Sequence, residues 1–449
     1  MAGHAGQVAG WQTQAQGAMT NGAVAGRYYP AKSRRCSIRA RWILAGMIAV
    51  YTADHCSSSA AVLPASAQPM VPPRRQFLQV LGFSMAGTAG AAHANPDVQS
   101  SWASSEVIDV QDPAMMAIAE EGRDDTRYSI AMAKAIRQRV EGSKGLTVLE
   151  IGTGPFALFA LVAARAGAKK VYALEANPDT AKAAAEVVDD SNEIAEGQIE
   201  IIPGYSTSVK LPEKVDLLIA PLVGGIATEE NILLAVKDAQ KRHLRDPSNP
   251  RSYIPAGITT YVAPVSFALH STVLAPPRYD ELKGQPLRIG SQDRIVQLQS
   301  EPQVFESFRL SDTALPSASS WKPKQSPFRF TVSEKQLAAS TESYTEVLRK
   351  EGLQEPERTQ TALATAAGFS GLAFWPRIVL DESGQSFIDS RGPSGEESKS
   401  HWPTLLSLMT PVPKTVAAGD VIDIEAAVEF PSDVKTPVTY KLSGSVKKP

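Results

Sequence analysis

Cysteine is almost absent from this chain. There are two, Cys36 and Cys56, and both lie within the first 94 residues. Because residues 95–449 contain no cysteine, they cannot form a disulfide framework, a thiolate zinc site or a cysteine nucleophile. Histidine is also scarce: beyond residue 94 it occurs only at His243, His270 and His401, and no two of these have the spacing of metal ligands. We therefore expect no metal.

The chain also has no large excess of positive or negative charge. Lys and Arg number 45 against 47 Asp and Glu, a net charge of −2, so nothing indicates a nucleic-acid partner. No apolar run in the N-terminal region approaches the ~20 residues of a strong membrane span, and we expect no stable span in the mature form. The length of 449 residues and the 43% hydrophobic content instead predict two globular domains and an additional segment.

The additional segment is residues 1–94, which carry eight basic residues and one acid. Arg74 and Arg75 precede a mildly apolar run that ends in Ala-His-Ala at 92–94, an arrangement typical of a twin-arginine translocation signal. Such a targeting or low-complexity region predicts a plastid location, in the stroma or the thylakoid lumen. The alternative is a cytoplasmic protein with a low-complexity tail.

Strand and helix patterns alternate over residues 95–255, which predicts a mostly parallel α/β sheet. Its most informative stretch, residues 146–177, has the pattern strand, glycine turn, helix and strand. Later in this region, Thr228 is predicted to cap a helix over residues 229–240. Residues 256–449 have β-type runs separated by turn residues, which predict an antiparallel domain with a helical insert near 333–352.

The glycine turn at 152–157 fits the dinucleotide pattern G-x-G-x-x-[GA], but two residues disfavour NAD. Pro155 has no N–H to give to a pyrophosphate, and Glu150 would repel one. An NAD-dependent oxidoreductase is therefore the less favoured alternative. S-adenosylmethionine, which has a cationic ammonium group and no phosphate, suits the turn better.

Particular residues can be assigned to this cofactor. Gly152 and Gly154 would let its methionine part approach the backbone, and Glu150 would face its charge. Glu175, at the end of the second strand, would accept hydrogen bonds from the ribose hydroxyls. Ser206, which follows the next strand, falls where the adenine would lie.

The stretch VLEIGTGPFALFALVAARAGAKKVYALEAN, residues 148–177, resembles the first motifs of the protein arginine N-methyltransferases. The stretches VDLLIAPLVGGIATEENIL, SYIPAGITTYVAPVSF and GFSGLAFWPRIVLD, and then Ser-His-Trp at 400–402, resemble later motifs of that family in the same order. The resemblance covers about residues 113–449. It implies an α/β Rossmann-like methyltransferase domain followed by an antiparallel β-barrel-like domain. It also implies an S-adenosylmethionine-dependent enzyme that methylates arginine in a protein or peptide, and it leaves open a homodimer formed through the helical insert.

The sequence departs from the family on the substrate side. Two glutamates of one loop hold the substrate guanidinium in that family; Glu230 matches the second, and Pro221 stands at the first. Glu230 and His401 are the predicted catalytic residues, while Arg123 and Arg127 are rival candidates for the cofactor carboxylate. Because proline cannot supply a carboxylate, two hypotheses remain: an active methyltransferase, and a catalytically inactive binding or interaction protein of the same fold.

Overall fold

The computed structural model describes residues 97–103, 126–143, 145–273, 285–291, 293–391 and 402–449. The predicted targeting region, residues 1–94, and two of the predicted site residues, Arg123 and His401, lie outside these ranges, so their roles stay predictions. Within these ranges, no helix has the length and hydrophobicity needed to span a membrane.

Strands and helices alternate up to residue 254, and strands dominate after it. In chain order the strands are Asp97–Ala103 (β1), Thr147–Ile151 (β2), Lys170–Glu175 (β3), Ile199–Pro203 (β4), Leu217–Ile219 (β5), Tyr253–Ile254 (β6), Gly257–Phe267 (β7), Leu287–Ile289 (β8), Val296–Leu298 (β9), Gln303–Arg309 (β10), Ser319–Trp321 (β11), Phe328–Thr331 (β12), Gly368–Phe369 (β13), Gly371–Val379 (β14), Phe387–Asp389 (β15), Thr404–Leu408 (β16), Lys414–Thr415 (β17), Val421–Phe430 (β18) and Thr439–Lys447 (β19). The α-helices are Thr126–Glu141 (α1), Leu158–Arg165 (α2), Pro178–Asp189 (α3), Ile232–Arg242 (α4), His270–Val273 (α5), Glu334–Lys350 (α6) and Glu357–Ala366 (α7).

The first domain is built on a five-stranded parallel sheet in the order β4-β3-β2-β5-β6. All five residues of β2 are buried, as expected for a strand with helices on both faces. Helix α2 is almost wholly apolar and buries most of its length. Because the strands are parallel, the carboxyl ends of β2, β3 and β5 meet at one edge, which is where open α/β sheets bind ligands.

The second domain contains two larger antiparallel sheets. One has the order β1-β19-β18-β11, with β12 also on β18; the other has the order β10-β7-β14-β16-β8, with β9 on β7 and β15 on β14. Strands β7 and β14 pair along nine residues. Between the sheets, the ring of Phe305 packs edge-on against Phe374 at 5.1 Å and stacks on Phe328 at 5.8 Å. These rings form part of a hydrophobic core that is continuous with that of the parallel domain.

Two features of the fold differ from the sequence patterns. Strand β1, which falls within the predicted 95–255 domain, pairs with the last strand, β19, and so belongs to an antiparallel sheet. The helical insert is a pair of helices: α6 begins after Ser333, whose hydroxyl caps it, and α7 follows after a short turn. Helix α7 was not predicted, because its sequence lacks a strong apolar period.

Candidate active site

The glycine turn joins β2 to α2 and is fixed to the neighbouring strand. The N–H groups of Gly152 and Thr153 donate to the carbonyl oxygen of Leu174 at 2.8 and 3.1 Å. Gly152 and Gly154 both have positive φ, 82° and 64°, which favours glycine. A Cβ on Gly152 would lie 2.7 Å from Leu222, whereas one on Gly154 would meet no described atom within 4 Å. Gly154 therefore leaves the turn open on the side where a ligand can approach.

Glu175 ends β3 beside this turn. Its carboxylate accepts the N–H of Gly154 at Oε2 and that of Asn177 at Oε1, each at 3.0 Å. The side chain is buried, so these two bonds hold it in one position. Each carboxylate oxygen has more than one acceptor site, and both can still accept a hydroxyl. The structure thus places Glu175 at the end of β3 beside the glycine turn, and its binding of the ribose hydroxyls stays a prediction.

Glu150, on β2, is fully buried next to the turn. The hydroxyl of Thr153 donates to its Oε2 at 2.7 Å, while Oε1 has no hydrogen bond to a described residue. Burial raises the pKa of this carboxyl to about 8; Glu175 adds to the rise, and Thr153 and the backbone of Ala160 oppose it. A buried acid with an unused oxygen is suited to a cationic group, which would restore its ionised form.

Ser206 lies at the same edge of the sheet. Gly204, two residues earlier, donates its N–H to the carbonyl of Glu175 at 2.7 Å, which ties the loop after β4 to the end of β3. The contacts of Ser206 itself are made by its backbone, because its carbonyl accepts a hydrogen bond from Arg242. Ser206 lies two residues after this attachment point, and its contact with an adenine stays a prediction.

The loop between β5 and α4 corrects one prediction. The helix begins at Ile232, after Asn231 in a left-handed conformation, and not at residue 229. Thr228 does not cap it. Its hydroxyl and its N–H both bind Glu306, a carboxylate on β10 that lies 78 residues away. The cap prediction was wrong because a tertiary partner outcompetes the local one. It also follows that Glu229 and Glu230 belong to a loop.

Glu229 is committed to contacts within the protein. Its buried carboxylate accepts the N–H of Gly225 at 2.9 Å and forms an ion pair with Arg288 of β8 through both guanidinium nitrogens. A substrate guanidinium would have to displace Arg288 to reach it. Glu229 is thus already paired with a guanidinium of the protein itself.

Glu230 has a different environment. Its side chain is exposed. Protein nevertheless surrounds it enough that lost hydration raises the pKa of its carboxyl to about 7; the charge of Glu229 adds to the rise and Arg288 opposes it. Of the two acids in this loop, Glu230 is the one presented outward.

Aromatic side chains close around the same loop. Trp402, the residue after His401, donates its indole N–H to the carbonyl of Val223 at 2.5 Å. The ring of Tyr128 on α1 packs edge-on against Trp402 at 5.1 Å and against Phe159 of α2 at 5.7 Å. The adjacent Arg127, rival to Arg123, donates to the carbonyl of Asp389 at 2.9 Å. Residues far apart in sequence thus meet where the two domains join.

Glu306 is a residue of this region that the sequence did not reveal. It is buried and accepts hydrogen bonds from Thr228 and from Thr260 at 2.8 Å, and the Thr228 hydroxyl also contacts that of Tyr440 at 3.1 Å. Burial raises the pKa of its carboxyl to about 7. A register shift between Val304 and Glu306 buries both Phe305 and Glu306. Simple alternation along β10 would have put the glutamate outside.

No protein-family model matches the sequence. The chain is 34% identical over 129 residues to protein arginine N-methyltransferase PRMT10 of Arabidopsis thaliana, covering 28% of this chain and 33% of that protein. It is 31% identical over 153 residues to the probable protein arginine N-methyltransferase 6 of the same plant, covering 34% of each. The chain thus spans about a third of the length of these relatives.

Solved structures match over more of the chain. The Trypanosoma brucei PRMT1 enzyme–prozyme heterotetrameric complex with AdoHcy aligns with a TM-score of 0.50 at 18% identity, covering 69% of this chain and 87% of that one. Protein arginine methyltransferase 10 of A. thaliana, in an open conformation, aligns with a TM-score of 0.50 at 17% identity, covering 73% and 99%. The predicted fold is confirmed: a Rossmann-like α/β domain is followed by an antiparallel β-barrel-like domain, in a chain that resembles the protein arginine N-methyltransferases.

Proposed function

We propose that this chain is an S-adenosylmethionine-dependent methyltransferase of the protein arginine N-methyltransferase type, acting on a guanidinium or another nitrogen of a protein or peptide. One observation carries the proposal. At the edge where β2 and β3 end, Glu175 is held by the backbone of Gly154 and Asn177, and the buried Glu150 keeps one oxygen without a described partner. A dihydroxy group and a cation match these two acids.

The residues present fit S-adenosylmethionine. Glu175 would hold the ribose, Glu150 would face the ammonium group, and the open face of Gly154 would admit the methionine part. When bound, the cofactor supplies an electrophilic methyl group. Glu230 would orient the acceptor nitrogen and take the proton that it loses, because a carboxyl with a pKa of about 7 exchanges protons near neutral pH.

Calorimetry and methyl transfer test the proposal together. The full chain should bind S-adenosylmethionine and not NAD, because Pro155 and the buried Glu150 oppose a pyrophosphate. Tritiated methyl should pass to arginine-rich peptides, with a rate that rises with pH through about 7 as Glu230 ionises. Glu230→Gln should abolish transfer and leave cofactor binding intact. Glu200→Gln, on β4 and paired with Lys170, is the matched control and should change neither. Binding of NAD in preference to S-adenosylmethionine would refute the proposal.

A catalytically inactive binding or interaction protein is the second candidate. Pro221 and the commitment of Glu229 to Arg288 favour it, because they leave one outward carboxylate where the family has two. Tight cofactor binding without transfer to any protein or small-molecule acceptor would decide for it.

Two further parts of this proposal concern assembly and location. We propose that the chain associates with itself through the α6–α7 pair, where the large apolar side chain of Leu363 is 54% exposed. Light scattering should give twice the chain mass, and Leu363→Asp should halve it.

We also propose plastid import directed by residues 1–94. A fluorescent protein fused to that segment should enter plastids, and a diffuse cytosolic signal would exclude this.

A further inference from the structure

Arg391, which follows β15, is a buried cation with unusual partners. Its side chain is buried in the antiparallel domain. One terminal nitrogen donates to the hydroxyl of Thr404 at 3.3 Å, and the other to the carbonyl of Val296 at 3.1 Å. Its guanidinium also lies 5.7 Å from the ring centre of Trp375. All of these partners are neutral, and the Nε–H has no hydrogen bond to a described residue.

No described carboxylate compensates this charge. Asp389, the nearest acid before it in sequence, accepts two hydrogen bonds from Arg377 at 2.6 and 2.8 Å. Burial lowers the pKa of Arg391 to about 10, and the one electrostatic influence that opposes this comes from Tyr344. The guanidinium is still cationic at neutral pH, and a buried charge without a counter-ion is strongly unfavourable.

Two buried hydroxyls lie on the chain segments beside it. Ser390, the preceding residue, has an Oγ with no hydrogen bond to any described group, and the same is true of Ser291. Ser291 comes two residues after Ile289, which pairs with Thr404, the partner of Arg391. Hydroxyls can donate to an anion as readily as guanidinium nitrogens can. The chain segments beside the unpaired cation thus carry two unused donors.

We propose that Arg391 anchors a binding site for a small anion that carries carboxylate or similar oxyanion oxygens. The Nε–H and the neighbouring terminal nitrogen form a fork that a pair of such oxygens matches, and Ser390 and Ser291 supply further donors. This site is distinct from the glycine turn and from Glu230, and it does not depend on methyl transfer.

Thermal unfolding of the full chain tests the site. At constant ionic strength, chloride is replaced by acetate, sulfate or phosphate. At least one of these anions should raise Tm by about 2 °C for each tenfold increase of its concentration above its dissociation constant. Arg391→Met should reduce this response to the general stabilisation that excluded anions such as sulfate give any protein. In chloride it should be as stable as the wild type or more so, because methionine needs no counter-ion.

Arg377→Met is the matched control. Arg377 lies on the adjacent strand and also packs on an aromatic ring, that of Tyr261, but it is paired with Asp389. Its variant should lose stability in chloride and keep the anion response. An equal response in the wild type and Arg391→Met would mean an adventitious ion only and would overturn the proposal. A second outcome would also overturn the proposal. If the anion response appears only in a variant with both Glu396→Gln and Glu397→Gln, a carboxylate of this chain fills the site in the wild type.

Discussion

Replacing Glu175 by alanine is the most direct test of the cofactor half of the site. The carboxylate already accepts the N–H groups of Gly154 and Asn177. If it also accepts two ribose hydroxyls, the change removes two hydrogen bonds. Because the hydroxyls regain water on release, each bond contributes about 0.5–1.5 kcal/mol net, and the pair about 1–3 kcal/mol. The dissociation constant for S-adenosylmethionine should therefore rise about 5- to 150-fold.

Titration calorimetry measures this effect, and circular dichroism confirms that the variant is folded. Glu175→Gln keeps one oxygen acceptor in the same shape, so its dissociation constant should fall between those of the wild type and Glu175→Ala. Glu200→Ala, at an exposed position on the next strand, should bind as the wild type does. A folded Glu175→Ala protein with unchanged affinity would show that the ribose lies elsewhere, and the assignment of this edge to the cofactor would be wrong.

Three other variants probe features nearby and elsewhere. Gly154→Ala should lower the free energy of unfolding by about 1–2 kcal/mol, because the residue has a positive φ. Calorimetry should also show S-adenosylmethionine binding at least tenfold more weakly, and normal binding would mean that the cofactor does not use the open face of the turn. Arg288→Ala removes the ion-pair partner of the buried Glu229 carboxylate and should lower the free energy of unfolding, measured in urea, by about 2–3 kcal/mol. Adding Glu229→Gln should restore most of this loss, whereas additive losses would contradict the ion-pair argument. Burial lowers the pKa of His270 to about 4. As pH falls from 6.5 to 4, the histidine is protonated in the unfolded chain before it is protonated in the folded one, so the free energy of unfolding should decrease by about 3 kcal/mol. His270→Phe should flatten this pH dependence in unfolding measurements, and an unchanged slope would place the acid sensitivity in other groups.

The sequence predicted those features whose partners are close along the chain. The glycine turn, Glu150 and Glu175 lie within 26 residues, and one strand–turn–helix–strand unit fixes their positions. The order of the later motifs indicated the second domain in the same way. The fold could be derived because local patterns and the global arrangement agree.

The acceptor loop could not be derived, because its partners are distant. Thr228 looks like a helix cap until Glu306 is brought to it from β10, and Glu229 looks like a first-turn acid until Arg288 pairs with it. The burial of Glu306 follows from a register shift that leaves no mark in the sequence. Helix propensity and dipole arguments are weaker than a buried ion pair or a multiply bonded carboxylate, and here the tertiary contacts prevail.

The pairing of β1 with β19 has a consequence for how this protein is made. Asp97–Ala103 is synthesised well before its partner Thr439–Lys447. The parallel domain can fold in between, but that edge of the antiparallel sheet stays incomplete until β19 has been synthesised. An unpaired strand exposes backbone groups that attract other chains. Slow translation of the segment between β1 and β19, or loss of β19, should therefore promote aggregation of the nascent chain before it affects the glycine turn.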